Sequence, residues 1–289
     1  MRALASTASI VVASLAPSFA AAHEAGAPFS GAILDPLVLH HAHIENEQRL
    51  NLTATRTGAG SGFRRVSFGA ELELSWAAPS YDFGVEAFLP FSNLPDSGAG
   101  RVSGVGDIAL RPIKFSPWMS RETVLTFATE LVLPTGSTER GLGEGYVAVG
   151  ELLFVDLALG NWFLGINAGV IGNVNGPLAP GVEYGAAVSY SFIEETRAGG
   201  IAPAVPRQPV VVSASLEVLA ESSLGGREAG RSPISVLPGL SLWWPASGMQ
   251  LRAGVERPVY GAPDDWAFML QMGNHRRWNA LFADTPVHR

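Results

Sequence analysis

Histidines crowd the N-terminal part of this chain: His40, His41 and His43 lie almost side by side, and His23 stands ahead of them. Imidazole nitrogens at this density are transition-metal ligands by type. A chain beginning at His23 would add an amine to that imidazole. The run offers no cysteine or carboxylate within it, so solvated histidines in a lead-in segment are the competing reading.

The other chemistry-bearing set is spread along segments that alternate. Val66, Phe68, Ala70, Leu72, Leu74 and Trp76 interleave with Arg65, Ser67, Gly69, Glu71, Glu73 and Ser75. A period of two gives a strand one apolar and one polar face. Val182, Tyr184, Ala186, Val188, Tyr190 and Phe192 repeat it against Glu183, Gly185, Ala187, Ser189 and Ser191. Taken over all such segments, the polar faces carry Glu71, Glu73, Asp82, Glu86, Asp107, Glu130, Glu183, Glu217, Glu221 and Glu256 against Arg65, Arg111 and Arg252. If those faces line one enclosed space, carboxylates dominate it, which draws cations in and repels anions. The bland alternative is that these charges pair across strands and fill a small barrel.

The elements that must position these residues are strand candidates at 48–57, 65–76, 81–89, 107–115, 124–133, 146–158, 162–170, 182–192, 210–221, 234–244, 249–257 and 266–275. That is about twelve strands, near the length a tilted strand needs to cross a bilayer, and an even number suits a closed bacterial barrel. Turn-rich stretches at 57–62, 92–104, 136–145 and 172–181 separate them. In 146–158 the alternation falters, because Glu151 and Asp156 fall on opposite parities, so a bulge or strand end is expected between them. The large rings Trp76, Tyr81, Trp162, Tyr190, Phe192, Trp244, Trp266 and Trp278 fall at or near strand ends, as membrane-interface girdles require. A soluble β-sandwich, the other way to use alternating strands, more often buries its tryptophans mid-strand.

Met1 and Arg2, an apolar stretch over 3–19 and then Ala20, Ala21 and Ala22 form a secretory signal, with the mature chain starting near Ala21 or His23. No later stretch reaches the roughly 20 apolar residues of a spanning helix. The chain has no cysteine, which excludes disulfides and thiolate chemistry. A net charge of -7, with Lys114 as the single lysine, argues against a nucleic-acid partner. The expected organisation is a signal peptide (1–22), an irregular periplasmic lead-in (23–46), an all-β transmembrane antiparallel up-and-down barrel (47–278) and a tail (279–289). The expected location is the bacterial outer membrane, with the lipid bilayer and a small-molecule solute as partners. Nothing in the sequence calls for a cofactor, and a homo-oligomer stays open.

Gly104-Val105-Gly106-Asp107-Ile108-Ala109-Leu110 runs on to Lys114 and Phe115, with Phe83-Gly84-Val85-Glu86-Ala87-Phe88-Leu89-Pro90 before it and Leu131-Val132-Leu133-Pro134-Thr135-Gly136 after it. With these motifs the chain resembles the outer-membrane transporter family named for the MetA pathway of phenol degradation, extending weakly to Val255-Glu256-Arg257-Pro258. The resemblance implies a barrel channel or transporter for small, apolar or aromatic solutes.

A barrel of about twelve strands lies between the roughly eight that side chains fill and the sixteen that leave an aqueous channel. The expectation is therefore passive passage of small solutes through a narrow acidic lumen, partly obstructed by long side chains or by the N-terminal segment. The alternative is a non-transporting barrel that binds metal or a partner through its N-terminal histidines. A rim hydrolase ranks last: Ser189, Ser191, Ser213 and Ser215 lie on inward faces, with only His275 in a comparable strand. Gly141, Gly143 and Gly145 lack the strand-to-helix context and lysine of a phosphate loop and read as turn glycines.

Overall fold

The computed structural model describes residues 36–57, 65–95, 100–176, 180–194, 207–225, 229–261 and 265–275. Their strands are β1 (Glu47–Thr57), β2 (Arg65–Ala77), β3 (Phe83–Pro95), β4 (Arg101–Val105), β5 (Ile108–Met119), β6 (Thr123–Leu133), β7 (Ala148–Leu159), β8 (Trp162–Asn173), β9 (Gly181–Ser191), β10 (Val211–Ser223), β11 (Ile234–Trp244), β12 (Met249–Tyr260) and β13 (Trp266–His275). Sequence neighbours pair antiparallel, and β1 pairs both β2 and β13, so the sheet closes. One edge of β3 pairs β4 through Phe91 to Pro95 and β5 through Phe83 to Phe88. Thus β4 and β5 are one stave broken at Gly106 and Asp107, and the barrel has twelve staves. Closure joins the first and last long strands edge to edge, which is what a sheet needs where water is absent.

Alternation decides the faces. On the outside, Phe68 is 52% exposed, Ile166 57% and Leu240 61%. An apolar belt around a closed antiparallel sheet is the lipid-facing surface of a transmembrane barrel. Trp76, Trp162, Tyr190 and Trp244 sit on outward positions at the rim formed by the end of β2, the start of β8 and the ends of β9 and β11. There the Trp162 ring packs edge-on to Tyr190 at 4.8 Å, and Tyr190 to Phe192 at 5.0 Å. Trp266 starts β13 at the opposite rim. Tyr81 lies beyond the strands in the β2–β3 turn with a φ of 58°, its N–H donating to Ala78 O. Trp278, His23 and the expected signal peptide (1–22) lie outside the described residues.

Four local readings of the sequence are corrected. The stretch 92–104, read as a loop, is a strand hairpin, since β3 runs to Pro95 and β4 returns from Arg101. The bulge expected in 146–158 is absent: β7 keeps unbroken register with both neighbours. Leu152, Phe154, Asp156 and Ala158 therefore all point inward, while Glu151 points outward and accepts from Thr129 Oγ1 at 3.1 Å. Among the described residues the ladder is interrupted in β5, between Leu110 and Ile113 and between Phe115 and Trp118, and again where β11 meets the end of β12 at Ile234 and Ser235. Pro112 lacks the N–H a regular ladder needs, and the shift turns Lys114 to the same inner face as Arg111.

The fourth correction concerns the lead-in. Residues 36–46 are irregular as expected, but they are not a periplasmic leader: Leu37, Leu39, Ala42, Ile44 and Asn46 are buried inside the barrel. The segment fills the lumen over the half that ends at the start of β1, and β1 leads directly out of it.

Candidate functional site

An irregular segment inside a barrel has backbone amides with no ladder to join, and each must find a partner. The wall supplies them. Glu217 of β10, fully buried, accepts the N–H groups of Leu37 (2.5 Å), Val38 (3.0 Å) and Leu39 (2.8 Å). Asp156 of β7 accepts Ala42 N–H at 2.7 Å, His43 N–H at 3.2 Å and the His43 ring at 2.9 Å. Thr126 Oγ1 donates to Ala42 O at 2.6 Å, and Arg252 and Gln271 donate to the carbonyls of Pro36 and Leu37, each at 3.2 Å. Ala77 N–H at the end of β2 donates to Asn46 Oδ1 at 3.1 Å.

The apolar side of the segment is matched by glycines. A Cβ on Gly254 would come 2.8 Å from Leu37, on Gly185 2.6 Å from Leu39, and on Gly84 2.5 Å from Ile44. Only a residue without a side chain admits so close an approach at these inward positions.

Around the segment, charges are paired. Glu86 holds Lys114 at 2.6 Å and Arg111 at 3.0 Å, and Arg111 also reaches Glu130 at 2.9 Å. The Arg111 guanidinium lies 4.6 Å from the Phe88 ring centre and 5.6 Å from that of Phe154, a cation–π arrangement. His40 meets the same two rings edge-on at 5.6 and 6.4 Å. Arg49 pairs with Glu47 and, at 3.7 Å, with Glu73. Gln271 ties Arg252 (2.7 Å) to Asn51 (2.7 Å), which donates on to Glu71 at 3.2 Å.

The residues expected to line the lumen therefore divide. Glu73, Glu86, Arg111, Glu217 and Arg252 are buried against the segment. Glu71, Glu130, Glu183, Glu221 and Glu256 belong to the half that residues 36–46 do not occupy. A cavity of about 300 Å³ there is bounded by His40, Asn167, Glu183, Glu221, Ser235 and Glu256, and one of about 200 Å³ by Arg49, Glu71, Glu73 and Gln271. Arg65 is exposed at the open rim. Two of the expected residues do not line the lumen. Asp82 is exposed in the β2–β3 turn, where Ser80 Oγ donates to it. Asp107 sits at the β4–β5 break and accepts Gly136 N–H at 2.8 Å and Glu144 N–H at 2.7 Å, fixing the following loop. Alternation misplaced both because it does not register where a strand stops. It also passed over Arg49, Lys114 and Asp156. For Lys114, the mid-strand Pro112 was the available signal.

The histidines separate as well. His40 faces the aromatic rings. His41 and His43 stack at 4.1 Å between ring centres, and His41 Nδ1 lies 2.8 Å from the His43 carbonyl oxygen. His43 Nε2 is 3.2 Å from Glu45, and His41 Nε2 is 3.8 Å from Glu47. The triples His41, His43, Asp156 and His41, Glu45, Glu47 each bring ligand atoms within 4.8 Å of one another.

Of the serines, Ser189, Ser191 and Ser213 are buried on the inner wall, with Ser191 Oγ 2.8 Å from Ser213 Oγ. The His275 side chain lies outside the described residues. Gly141 and Gly145 take φ values of 67° and 78° in a turn.

No protein-family model and no curated protein matches the chain. Solved barrels resemble it in outline. The NanC porin is 7% identical with a TM-score of 0.48, over 79% of this chain and 100% of that one. LpxR from Salmonella typhimurium is 11% identical with a TM-score of 0.44, over 79% and 100%. The β domain of the Bordetella autotransporter BrkA is 11% identical with a TM-score of 0.45, over 80% and 100%.

Proposed function

We propose that this protein is a bacterial outer-membrane channel for small cationic or polar solutes, closed at rest by residues 36–46 of its own chain. The observation that supports the reading is the division of the lumen among the described residues: one half is occupied by a segment cradled on Glu217 and Asp156, and beyond it lie two cavities, one bounded by Glu183, Glu221 and Glu256 and the other by Glu71 and Glu73. Carboxylates around a low-dielectric space concentrate cations and exclude anions. That charge favours polar cations over the apolar or aromatic solutes that the family resemblance implied. Passage through that half requires the segment to leave the wall, because its buried residues occupy the lumen there.

The test is the full mature chain in planar bilayers and in solute-loaded liposomes. Wild type should show long closed periods with rare cation-selective openings, and variants that loosen the segment should open more often. Silence of wild type and of the loosened variants in both assays would refute the channel.

A further inference from the structure

We propose that His41 and His43, together with Asp156 of β7 and the Glu45 and Glu47 carboxylates, form a buried site for one divalent transition-metal ion that ties the lumen segment to the barrel wall.

The donor set argues for the ion class. Two imidazoles with carboxylates suit Zn²⁺, Cu²⁺ or Ni²⁺, whereas calcium takes oxygens only and cuprous ions prefer sulfur, which is not among these ligands. His41 fits the part in its hydrogen bonding. Its Nδ1 sits 2.8 Å from a backbone carbonyl, which can only accept, so the proton is on Nδ1 and Nε2 carries the lone pair. That lone pair faces the Glu47 carboxylate at 3.8 Å. Two ligand atoms on one ion, each about 2.0 to 2.2 Å from it, are roughly 3.3 Å apart in a tetrahedron, so small movements complete the site. Every candidate ligand is nearly solvent-free, with Asp156 and Glu47 at 0 and 1% exposure and His41, His43 and Glu45 at 2 to 3%.

Ligands also come from three places: the segment, the start of β1 and β7 across the lumen. An ion held by them would bridge the segment to the wall, on the Asp156 side that already accepts Ala42 and His43. The site stands apart from the channel reading, because it needs only that the segment be seated.

Calorimetric titration of ZnCl₂ into the EDTA-treated, folded full chain in detergent tests this, with Cu²⁺ and electron paramagnetic resonance as a second readout. The expected result is one ion per chain and nitrogen hyperfine coupling from imidazole. The His41→Gln, His43→Gln double variant should lose about a hundredfold in affinity, together with that coupling. His40→Gln should keep both. If the double variant fails to give the heat-modifiable band of a folded barrel, Asp156→Asn replaces it, with a weakening of tenfold or more expected. A silent wild-type titration, unchanged binding in the double variant, or loss of binding on His23→Gln alone would overturn the site. A silent bilayer with an intact titration would refute the channel and leave the site standing.

Discussion

Replacing Glu217 by alanine should open the barrel without unfolding it. One fully buried carboxylate accepts three consecutive backbone N–H groups, from Leu37, Val38 and Leu39. Hydrogen bonds to a charged acceptor contribute about 1.5 to 3 kcal/mol each. The simple sum overstates the effect, since removing the carboxylate also relieves the cost of burying it and the amides regain water once the segment leaves. A net loss of about 3 kcal/mol for the seated state is the reasonable figure, and at about 1.4 kcal/mol per decade it raises the open population roughly a hundredfold. Glu217→Gln keeps the shape and one good acceptor but sets an NH₂ against a donor, so an effect near tenfold follows. The assay is single-channel open probability in planar bilayers, with heat-modifiable gel mobility confirming the barrel. Open probability within twofold of wild type in a folded Glu217→Ala protein would show that this cradle does not hold the segment shut.

Three further outcomes follow from the same geometry. Leu39→Ala removes a buried side chain that packs against Gly185, so the seated segment should lose about 2 to 4 kcal/mol and open probability should rise, as the same recordings would show. Glu86→Gln strips the carboxylate shared by Lys114 and Arg111 and should cost about 3 to 5 kcal/mol, while Glu130→Gln, whose side chain is 15% exposed, should cost far less; the urea concentration that abolishes the folded gel band measures both. Substituting Glu71, Glu183 and Glu256 together by glutamine should move the reversal potential in a salt gradient toward zero, and an unchanged potential would remove the two cavities from the selectivity mechanism.

Much of the barrel was legible because alternation reports directly on which side of a strand meets lipid, and the staves carrying Glu71, Glu86, Glu183, Glu217 and Glu256 kept their parity. The pattern failed where backbone geometry departs from period two. Pro112 shifts β5 and brings Lys114 inside, while Gly106 and Asp107 break a stave and turn Asp107 to a loop. Residues 36–46 were harder for a different reason. Their place is set by backbone amides meeting wall carboxylates, and side-chain periodicity carries no record of that. The glycines were the readable trace. Gly84, Gly185 and Gly254 stand on inward faces otherwise rich in polar residues, and each receives an apolar side chain of the segment.

This arrangement gives the acidic excess of the inner wall two uses, and the two are coupled. Glu217 and Asp156 are screened at short range by the amide dipoles they accept, so with the segment seated the carboxylates most available to a passing ion are Glu71, Glu183, Glu221 and Glu256. When the segment leaves, both carboxylates lose those donors and join the lining, as the charge on Glu86 and Glu73 stays matched by Lys114, Arg111 and Arg49. The fully open pore should therefore be more cation-selective than any partly open level. Recording reversal potentials at each conductance level of the Leu39→Ala protein, which opens the pore with both carboxylates intact, checks this. Selectivity that is flat or falls as conductance rises would mean that the wall carboxylates released by the segment do not face the permeating ion.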